Sequence, residues 1–350
     1  MLLGRAQATR AFARRRASFR VLLLPAPSSM AASAAAAPPI EDLASLPPAR
    51  LRAWLAPLST FLCDCDGVLW RGEGGVPGVA HTVAQLRARG KRVLFVTNNS
   101  TKSRRDYVAK LREAAGIECA AEDIVSSAFA AAEFCRRAGV SKKAYVLGGS
   151  GLVAELQLAM PGLAVLGPDD FAREFAFGAL RPEAHLDPDV QAVVIGFDAR
   201  FSYFKLATAA LYLRYGAPRV LFVATNRDAS YPDAHCLVPG GGSLVAALET
   251  GSGRAPDAVA GKPSLQMLDL VDGGALDRAG ACMVGDRLDT DIVFGNAGGL
   301  AQTLLVLTGI SSLDEASAAR GDLRPRSVLA SFGDLGALIE RAFADEAAGK

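Results

Sequence analysis

The feature that most constrains the fold is a short apolar run, Phe61-Leu62-Cys63, that ends in two aspartates two residues apart. If the run is a strand, Asp64 and Asp66 point the same way, because alternate residues of a strand share a face. Gly67 then lets the chain turn away sharply. Two carboxylates at that spacing repel each other unless a cation lies between them. Taken alone, the pattern also fits an ordinary acidic turn after a buried strand, so the rest of the chain decides between the two interpretations.

Two more apolar runs follow the same pattern. Val93–Val96 is closed by Thr97, and Cys282–Gly285 is closed by Asp286. Both are short and apolar throughout, which is typical of strands buried on both faces of a parallel sheet. Between them, Lys262 is followed by a proline, a residue favoured in the first turn of a helix. The predicted fold class is therefore α/β with a doubly wound parallel sheet. Ligands of such sheets bind beyond the carboxyl ends of the strands, where these polar residues would meet.

The residues on this rim suit the hydrolysis of a phosphate ester. Asp64, Asp66 and Asp286 would supply the hard oxygen ligands that suit Mg2+. Residues that can donate to phosphate oxygens or carry a positive charge stand beside them: Thr97, Asn98, Asn99 and Lys262. A carboxylate can attack phosphorus and form an aspartyl-phosphate, while a second carboxylate transfers protons to and from the leaving and attacking oxygens.

Four ordered motifs carry a resemblance to a known family. They are Asp64-Cys65-Asp66-Gly67-Val68-Leu69-Trp70, Thr97-Asn98-Asn99, Gly261-Lys262-Pro263 and Gly285-Asp286-Arg287-Leu288-Asp289-Thr290-Asp291. The motifs resemble those of the haloacid dehalogenase (HAD) superfamily, and within it the branch of phosphoglycolate, 4-nitrophenyl and pyridoxal phosphate phosphatases. The likeness is greatest to the phosphoglycolate phosphatases of plants and algae. It extends roughly from Leu55 to Ala337, and four motifs in this order are far more specific than any one of them.

The resemblance implies a Rossmann-like HAD core and a Mg2+-dependent phosphomonoesterase. The implied reaction is hydrolysis of 2-phosphoglycolate to glycolate and phosphate, in photorespiration or metabolite repair. A broader phosphatase acting on pyridoxal phosphate or 4-nitrophenyl phosphate is the alternative.

The resemblance also implies a role for each rim residue. Asp64 would be the nucleophile and Asp66 the acid/base. Phosphate would be bound by Thr97, Asn98, Asn99 and Lys262, and the metal by Asp64, Asp66 (through its carbonyl) and Asp286. Asp291 would support the site by orienting Lys262 or a metal-bound water. A phosphorelay receiver also uses Asp, Thr, Lys and Mg2+ on such a sheet, but it is far shorter and lacks an acid two residues after its phospho-acceptor.

A second α/β unit interrupts the predicted core. Residues 116–238 have their own alternation, with helices predicted at 128–138, 152–160 and 203–215 and strands at 144–147, 192–195 and 220–224. In the resembled family this is a cap inserted between the second and third motifs, which makes the core discontinuous, 55–115 and 239–345. Pro239-Gly240-Gly241-Gly242 is either the hinge back to the core or a loop with a helix cap. The resemblance makes Asn226, Arg227 and Asp228 a substrate-facing cap loop, with Arg227 on a substrate carboxylate. An Asx-type turn is the alternative.

The first forty residues have the composition of a targeting segment. They are rich in Arg, Ala and Ser and contain no acid, which fits a plastid or mitochondrial transit peptide, with plastid favoured. A start at Met30 would give a cytosolic form instead. The segment holds six arginines, and without them the chain has 32 basic and 36 acidic residues, a net charge of −4.

The remaining sequence indicates which partners to expect. No basic stripe with aromatic residues suggests nucleic acid, and no apolar run approaches the length of a membrane span. The expected partner is a small phosphomonoester, and a homodimer is left open. The six cysteines are scattered and show no metal-ligand spacing. Cys65, between the two aspartates, is interpreted as a buried inert thiol rather than a redox group.

Overall fold

The computed structural model describes residues 39–72, 74–178, 181–232 and 236–344. The predicted transit peptide lies outside the described residues except for Pro39 and Ile40. The strands, in chain order, are β1 (Glu41–Asp42), β2 (Thr60–Cys63), β3 (Trp70–Arg71), β4 (Gly74–Gly75), β5 (Arg92–Thr97), β6 (Ile124–Ser126), β7 (Lys143–Leu147), β8 (Ala164–Leu166), β9 (Val190–Ile195), β10 (Leu221–Ala224), β11 (Ser230–Pro232), β12 (Leu237–Pro239), β13 (Ala258–Val259), β14 (Ala281–Gly285), β15 (Gln302–Val306) and β16 (Ser327–Leu329). The helices are α1 (Pro48–Leu55), α2 (Val79–Ala88), α3 (Arg104–Ala115), α4 (Ser127–Arg137), α5 (Ser150–Ala159), α6 (Pro182–His185), α7 (Tyr203–Tyr215), α8 (Gly241–Ser252), α9 (Leu265–Leu268), α10 (Val293–Ala297), α11 (Leu313–Ala318) and α12 (Asp334–Ala342). Within the described ranges, no helix has the length and apolar character needed to cross a membrane.

The core is a seven-stranded sheet in the order β1-β16-β15-β14-β2-β5-β6, and every neighbouring pair is parallel. Successive residues of its central strands enter two different apolar clusters. Phe61 and Cys63 pack on one face with α2 and α12, and Leu62 packs on the other with α4 and α9. Helices on both faces explain why the strand sequences are apolar throughout. The predicted doubly wound parallel sheet is confirmed.

The strand register brings the predicted rim residues together. Cys63 pairs with Phe95 of β5 on one side and with Val284 of β14 on the other. The residues that follow these strands, among them Asp64, Thr97 and Asp286, therefore leave the sheet at the same edge.

A second sheet, all parallel, has the order β13-β10-β9-β7-β8. We call this sheet, with α5, α7 and α8 packed on it, the cap. The predicted helices and strands of this region occur within two residues of the expected bounds, and β8 and the β11–β12 hairpin are additional. Helix α3, at the core side of the junction, shows how local signals set such bounds. Ser103 forms a capping box with Asp106, and Gly116 ends the helix with φ +66°.

Both predicted boundaries of the cap differ from those in the structure. Strand β6, placed in the cap by the sequence, is an edge strand of the core sheet. Helix α8 and strand β13, placed in the core, belong to the cap: β13 pairs with β10, and Val245 of α8 packs with Phe222. Gly240 is the N-cap of α8, so the chain returns to the core only after β13. A glycine run favours a hinge and a helix start equally, and only packing distinguishes the two.

Candidate active site

One cleft lies where the core strands end and the cap begins. It is lined by the carboxyl-end turns of β2, β5, β10 and β14 and by the turn after β13. Most of the predicted site residues line it together: Asp64, Asp66, Thr97, Asn98, Asn99, Asn226, Asp228, Lys262, Asp286 and Asp291. Arg227 does not line it. Residues far apart in sequence therefore form one polar site, as the strand-end pattern predicted.

A buried lysine forms the centre of the site. The Nζ atom of Lys262 lies 2.6 Å from Asp64 Oδ1 and 2.7 Å from Asp291 Oδ1, and it donates to the carbonyl oxygen of Val96 at 2.8 Å. Burial lowers the pKa of Lys262, but Asp291 and Asp64 outweigh burial and hold this pKa above its ordinary value. The ammonium group therefore stays charged. Its contact with Asp291 is compatible with the first of the two roles implied for that residue, orienting Lys262 or a metal-bound water.

The carboxylates around Lys262 fit a divalent cation. Oxygen atoms of Asp64, Asp286 and Asp291 all lie within 4.8 Å of one another. Asp291 uses Oδ1 for Lys262 and Oδ2 for the backbone N–H groups of Asp286 and Arg287. Asp286 accepts from the N–H of Ile310 through Oδ2, while its buried Oδ1 has no hydrogen-bond partner among the described residues. A buried acceptor without a partner is costly, and a hard cation held by Asp64 and Asp286 would satisfy it.

The pKa shifts of these carboxylates agree with a cation site. Burial raises the pKa of Asp286 to about 7, and the charge of Asp291 adds to the rise. Burial also raises the pKa of Asp64 well above its ordinary value, and Lys262 only partly offsets this. A divalent cation would favour the ionised form of both groups.

A glycine-lined cradle around Asp286 was not predicted. The turn after β15, Thr308–Ser311, supplies the Ile310 N–H, and Thr308 Oγ1 donates to the carbonyl oxygen of Gly67 at 2.5 Å. A Cβ atom added at Gly67 would lie 2.5 Å from Asp286 Oδ2, and one added at Gly309 would overlap the same carboxylate. The sequence did contain a signal for this turn, because the turn also follows a largely buried strand, β15, at its carboxyl end.

We expect Gly309→Ala to weaken metal-dependent activity. The new methyl group would displace the Asp286 carboxylate from its cradle. A mutation in the surroundings that position a metal ligand typically costs about 10- to 100-fold in metal affinity or activity. Phosphate release measured against Mg2+ concentration should show a higher half-saturating concentration. Gly251→Ala, in α8 and with only ordinary contacts around the new Cβ, should match the wild type. An unchanged Mg2+ curve for Gly309→Ala would mean that the cradle does not position Asp286.

Asp66 lines the cleft with hydrogen-bond partners of its own. Its Oδ1 accepts the indole N–H of Trp70 at 2.9 Å, and Asn99 Nδ2 lies 3.4 Å from Oδ2. The backbone N–H of Asn99 donates to Thr97 Oγ1 at 3.1 Å. Asn99, predicted to bind phosphate, thus also contacts the acid/base candidate.

The side chain of Asn98, predicted to bind phosphate, is bonded within the protein. Its Oδ1 accepts the backbone N–H of Lys262 at 2.7 Å, and its Nδ2 donates to the Lys262 carbonyl oxygen at 3.0 Å and to Asp228 Oδ1 at 2.9 Å. These bonds use both donor hydrogens of the amide. The side chain therefore fixes Lys262 and ties it to the cap, which leaves no side-chain donor for phosphate.

The cap loop forms the Asx-type turn that was the alternative interpretation. The N–H of Asp228 donates to Asn226 Oδ1 at 3.0 Å, and Asn226 Nδ2 donates to the carbonyl oxygen of Asn98 at 2.7 Å. Arg227 points away from the cleft and pairs with Glu249 of α8, with its side chain 49% exposed. This placement does not support the predicted role of Arg227 on a substrate carboxylate, because its guanidinium is held by an acid 22 residues later.

Of the cleft residues that were not predicted from the sequence as site residues, three have large side chains that bear on what the cleft can bind. Phe197 and Tyr231 stack with ring centroids 6.1 Å apart and form an aromatic wall. Arg287 also lines the cleft and reaches the carbonyl oxygen of Ser230 in the cap at 3.4 Å. Arg287 directly follows Asp286, a predicted metal ligand, and this position in the sequence could have identified it as a cleft residue.

Cys65 is fully buried, and burial followed by the charges of Asp64 and Asp66 raises its pKa well above the ordinary value. The thiolate is therefore strongly disfavoured, which agrees with an inert thiol.

The parallel sheet, the cap and the carboxylates around a buried lysine are the features of a phosphate-ester hydrolase with a Rossmann-like core. The chain belongs to the haloacid dehalogenase-like hydrolases: residues 61–159 match the family model of that description, and residues 259–335 match the HAD-hydrolase-like model. It is 45% identical over 276 residues to chloroplastic phosphoglycolate phosphatase 1A of Arabidopsis thaliana, covering 77% of this chain and 74% of that protein. It is 46% identical over 267 residues to glycerol-3-phosphate phosphatase of Gallus gallus, covering 75% and 84%.

A solved structure is similar over most of the chain. Glycerol phosphate phosphatase of Mycobacterium tuberculosis in complex with magnesium has a TM-score of 0.66 and 34% identity, covering 80% of this chain and 76% of that one. The same protein has also been solved with calcium. A family member with this fold thus holds a divalent metal.

Proposed function

We propose that this chain is a Mg2+-dependent phosphomonoesterase that hydrolyses 2-phosphoglycolate through an aspartyl-phosphate on Asp64. The observation that carries the proposal is the cluster of Asp64, Lys262 and Asp286, with one buried carboxylate oxygen left for a cation. Asp64 and Asp286, with the carbonyl of Asp66, would hold the metal. When bound, Mg2+ would neutralise the repulsion between the Asp64 carboxylate and the phosphate dianion.

The chain's own residues account for both steps. In the first step, an Asp64 oxygen attacks phosphorus, the bond from phosphorus to the leaving oxygen breaks, and Asp66 gives its proton to that oxygen. In the second step, Asp66 takes a proton from water as the water oxygen attacks phosphorus, and Asp64 leaves as a carboxylate. Lys262 balances the charge of Asp64 and of the phosphate throughout.

The substrate assignment is supported by charge and by relatives. Arg287 lines the cleft as well as Lys262, although it also pairs with the exposed Asp289, and a second cationic side chain there favours a phosphate ester carrying another anionic group such as a carboxylate. The phosphoglycolate and glycerol-3-phosphate phosphatases are almost equally similar to this chain. A broader phosphatase is the second candidate, because the wall of Phe197 and Tyr231 would accept an aromatic ester. Membership of the haloacid dehalogenase-like hydrolases argues against the other alternative, a phosphorelay receiver.

Initial rates across a panel test the proposal. We expect 2-phosphoglycolate to have a higher kcat/KM than glycerol 3-phosphate, pyridoxal phosphate or 4-nitrophenyl phosphate, and a chelator to remove activity that Mg2+ restores. A flat profile would favour the broader phosphatase. A rate unaffected by chelation would contradict the metal site.

We also propose that the chain acts in the plastid, as the basic and acid-free composition of residues 1–40 suggests. Fused to a fluorescent protein, residues 1–40 should direct import into plastids, and a full-length chain starting at Met30 should stay cytosolic. Import into mitochondria alone would keep the targeting role but remove one reason for choosing phosphoglycolate. A diffuse cytosolic signal from the 1–40 fusion would contradict the proposal.

A further inference from the structure

The acid/base candidate Asp66 is attached to a rigid aromatic pair. Its Oδ1 accepts the indole N–H of Trp70 at 2.9 Å. The Trp70 side chain is fully buried, and its ring stacks on that of Tyr107 with centroids 6.3 Å apart and planes 20° apart. A large ring packed in this way has one position, so the carboxylate bonded to it is fixed as well.

A lysine completes this arrangement. Lys110 of α3 places its Nζ 4.3 Å from the centroid of the Trp70 ring and 4.0 Å from Asp66 Oδ1. Its side chain is only 14% exposed, so water screens the charge weakly. A cation over the ring draws electron density from the indole and makes the N–H a stronger donor to Asp66.

The two oxygens of Asp66 are therefore not equivalent. Oδ1 is occupied by the indole N–H and lies nearest to Lys110. Among the described residues, Oδ2 has only the long contact to Asn99 Nδ2 at 3.4 Å, which is weak at that distance. Oδ2 is thus the oxygen left to carry a proton.

We propose that Trp70 and Lys110 are positioning residues that hold Asp66 so that its Oδ2 delivers the proton to the leaving oxygen. The inference rests on the proposed function, in which Asp66 is the acid. The proton leaves Oδ2 as the bond from phosphorus to the leaving oxygen breaks, and the carboxylate regains one from the water that attacks the aspartyl-phosphate. Neither Trp70 nor Lys110 exchanges a proton in this scheme.

The leaving group distinguishes positioning from mere packing. An alkoxide needs a proton as it leaves, whereas 4-nitrophenolate leaves readily without one. The value of kcat/KM reports only the steps up to the first phosphoryl transfer, so it isolates the proton donation. A variant that misplaces Asp66 should therefore lose more kcat/KM on an alkyl phosphate than on 4-nitrophenyl phosphate.

The chain contains matched controls for both residues. Trp54, the other tryptophan, is also buried and donates its indole N–H to Ser327 Oγ at 3.1 Å, outside the cleft. Lys91 also lies outside it and donates to the carbonyl oxygen of Leu55 at 3.2 Å. Trp54→Phe and Lys91→Met remove the same groups as Trp70→Phe and Lys110→Met without touching Asp66.

We expect Trp70→Phe to lower kcat/KM for 2-phosphoglycolate by about 10-fold or more, and that for 4-nitrophenyl phosphate by less than about threefold. Lys110→Met should show the same selectivity with a loss of about two- to fivefold on the alkyl ester. Any effect of Trp54→Phe and Lys91→Met on kcat/KM should be the same for the two substrates. Asp66→Asn, the reference, should show the strongest dependence on the leaving group.

Each other outcome overturns a specific part of the scheme. If Trp70→Phe and Lys110→Met lower kcat/KM equally for both substrates, Trp70 and Lys110 have only a structural role. If neither variant lowers kcat/KM for either substrate, Asp66 does not depend on these residues for its position. If Asp66→Asn itself lacks leaving-group dependence, the acid role under the proposed function fails instead. Should Trp70→Phe not fold, as judged by thermal unfolding, Lys110→Met decides alone, because it keeps the aliphatic stem over the ring.

Discussion

Replacing Asp64 by asparagine should give a folded protein that releases phosphate roughly 10⁴-fold more slowly or not at all, because an amide cannot attack phosphorus. The change keeps the shape of the side chain. The amide oxygen can still accept from Lys262 Nζ, which also keeps Asp291 and the Val96 carbonyl oxygen as partners. We therefore expect a similar Tm.

The measurement is steady-state phosphate release with 2-phosphoglycolate and 4-nitrophenyl phosphate, together with thermal unfolding. The matched control is Asp289→Asn. Asp289 also lies in the acidic cluster after β14, but its side chain is 62% exposed. Among the described residues, its only side-chain partner is Arg287. It should retain most of the activity. Turnover by Asp64→Asn within tenfold of the wild type would mean that another group attacks phosphorus.

Replacing Lys262 by methionine should have the second-largest effect, and it should be independent of substrate. Every phosphomonoester carries the group that the ammonium faces, so kcat/KM should fall for all members of the panel. The change also leaves Asp64 and Asp291 buried without their shared cation. Removing one partner of a buried ion pair typically costs about 3–5 kcal/mol, so the free energy of unfolding should fall as well.

A second buried lysine separates the catalytic effect from the structural one. Lys205 is also fully buried and pairs with buried Asp198 within the cap, and neither residue lines the cleft. Lys205→Met should lower the free energy of unfolding by a similar amount but keep its kcat per folded molecule. If both variants lose activity only in proportion to unfolded protein, Lys262 has no direct part in the reaction.

The sequence was most informative where its signals are local. Strands β2, β5 and β14 are apolar runs closed by polar residues, and they occur where that pattern predicts them. Helix α3 begins at its capping box and ends at its glycine. Such signals depend on neighbours within a few residues, so they survive without knowledge of the fold.

The signals were weakest where the partner is distant in the chain. The sequence placed β6 in the cap and α8 with β13 in the core, although each belongs to the other sheet. A three-residue strand has no feature that specifies its neighbour, and hydrogen bonds across the sheet decide it.

By itself, the sequence determined the α/β class and the strand-end positions of the rim residues, because strand periodicity and buried apolar runs are local properties. Only the tertiary structure decided which way the rim side chains turn. It directs Arg227 to Glu249, uses the amide of Asn98 to hold Lys262, and surrounds Asp286 with Gly67 and Gly309. A side chain's orientation depends on charges, donors and free space supplied by residues tens to hundreds of positions away, and folding alone brings those together.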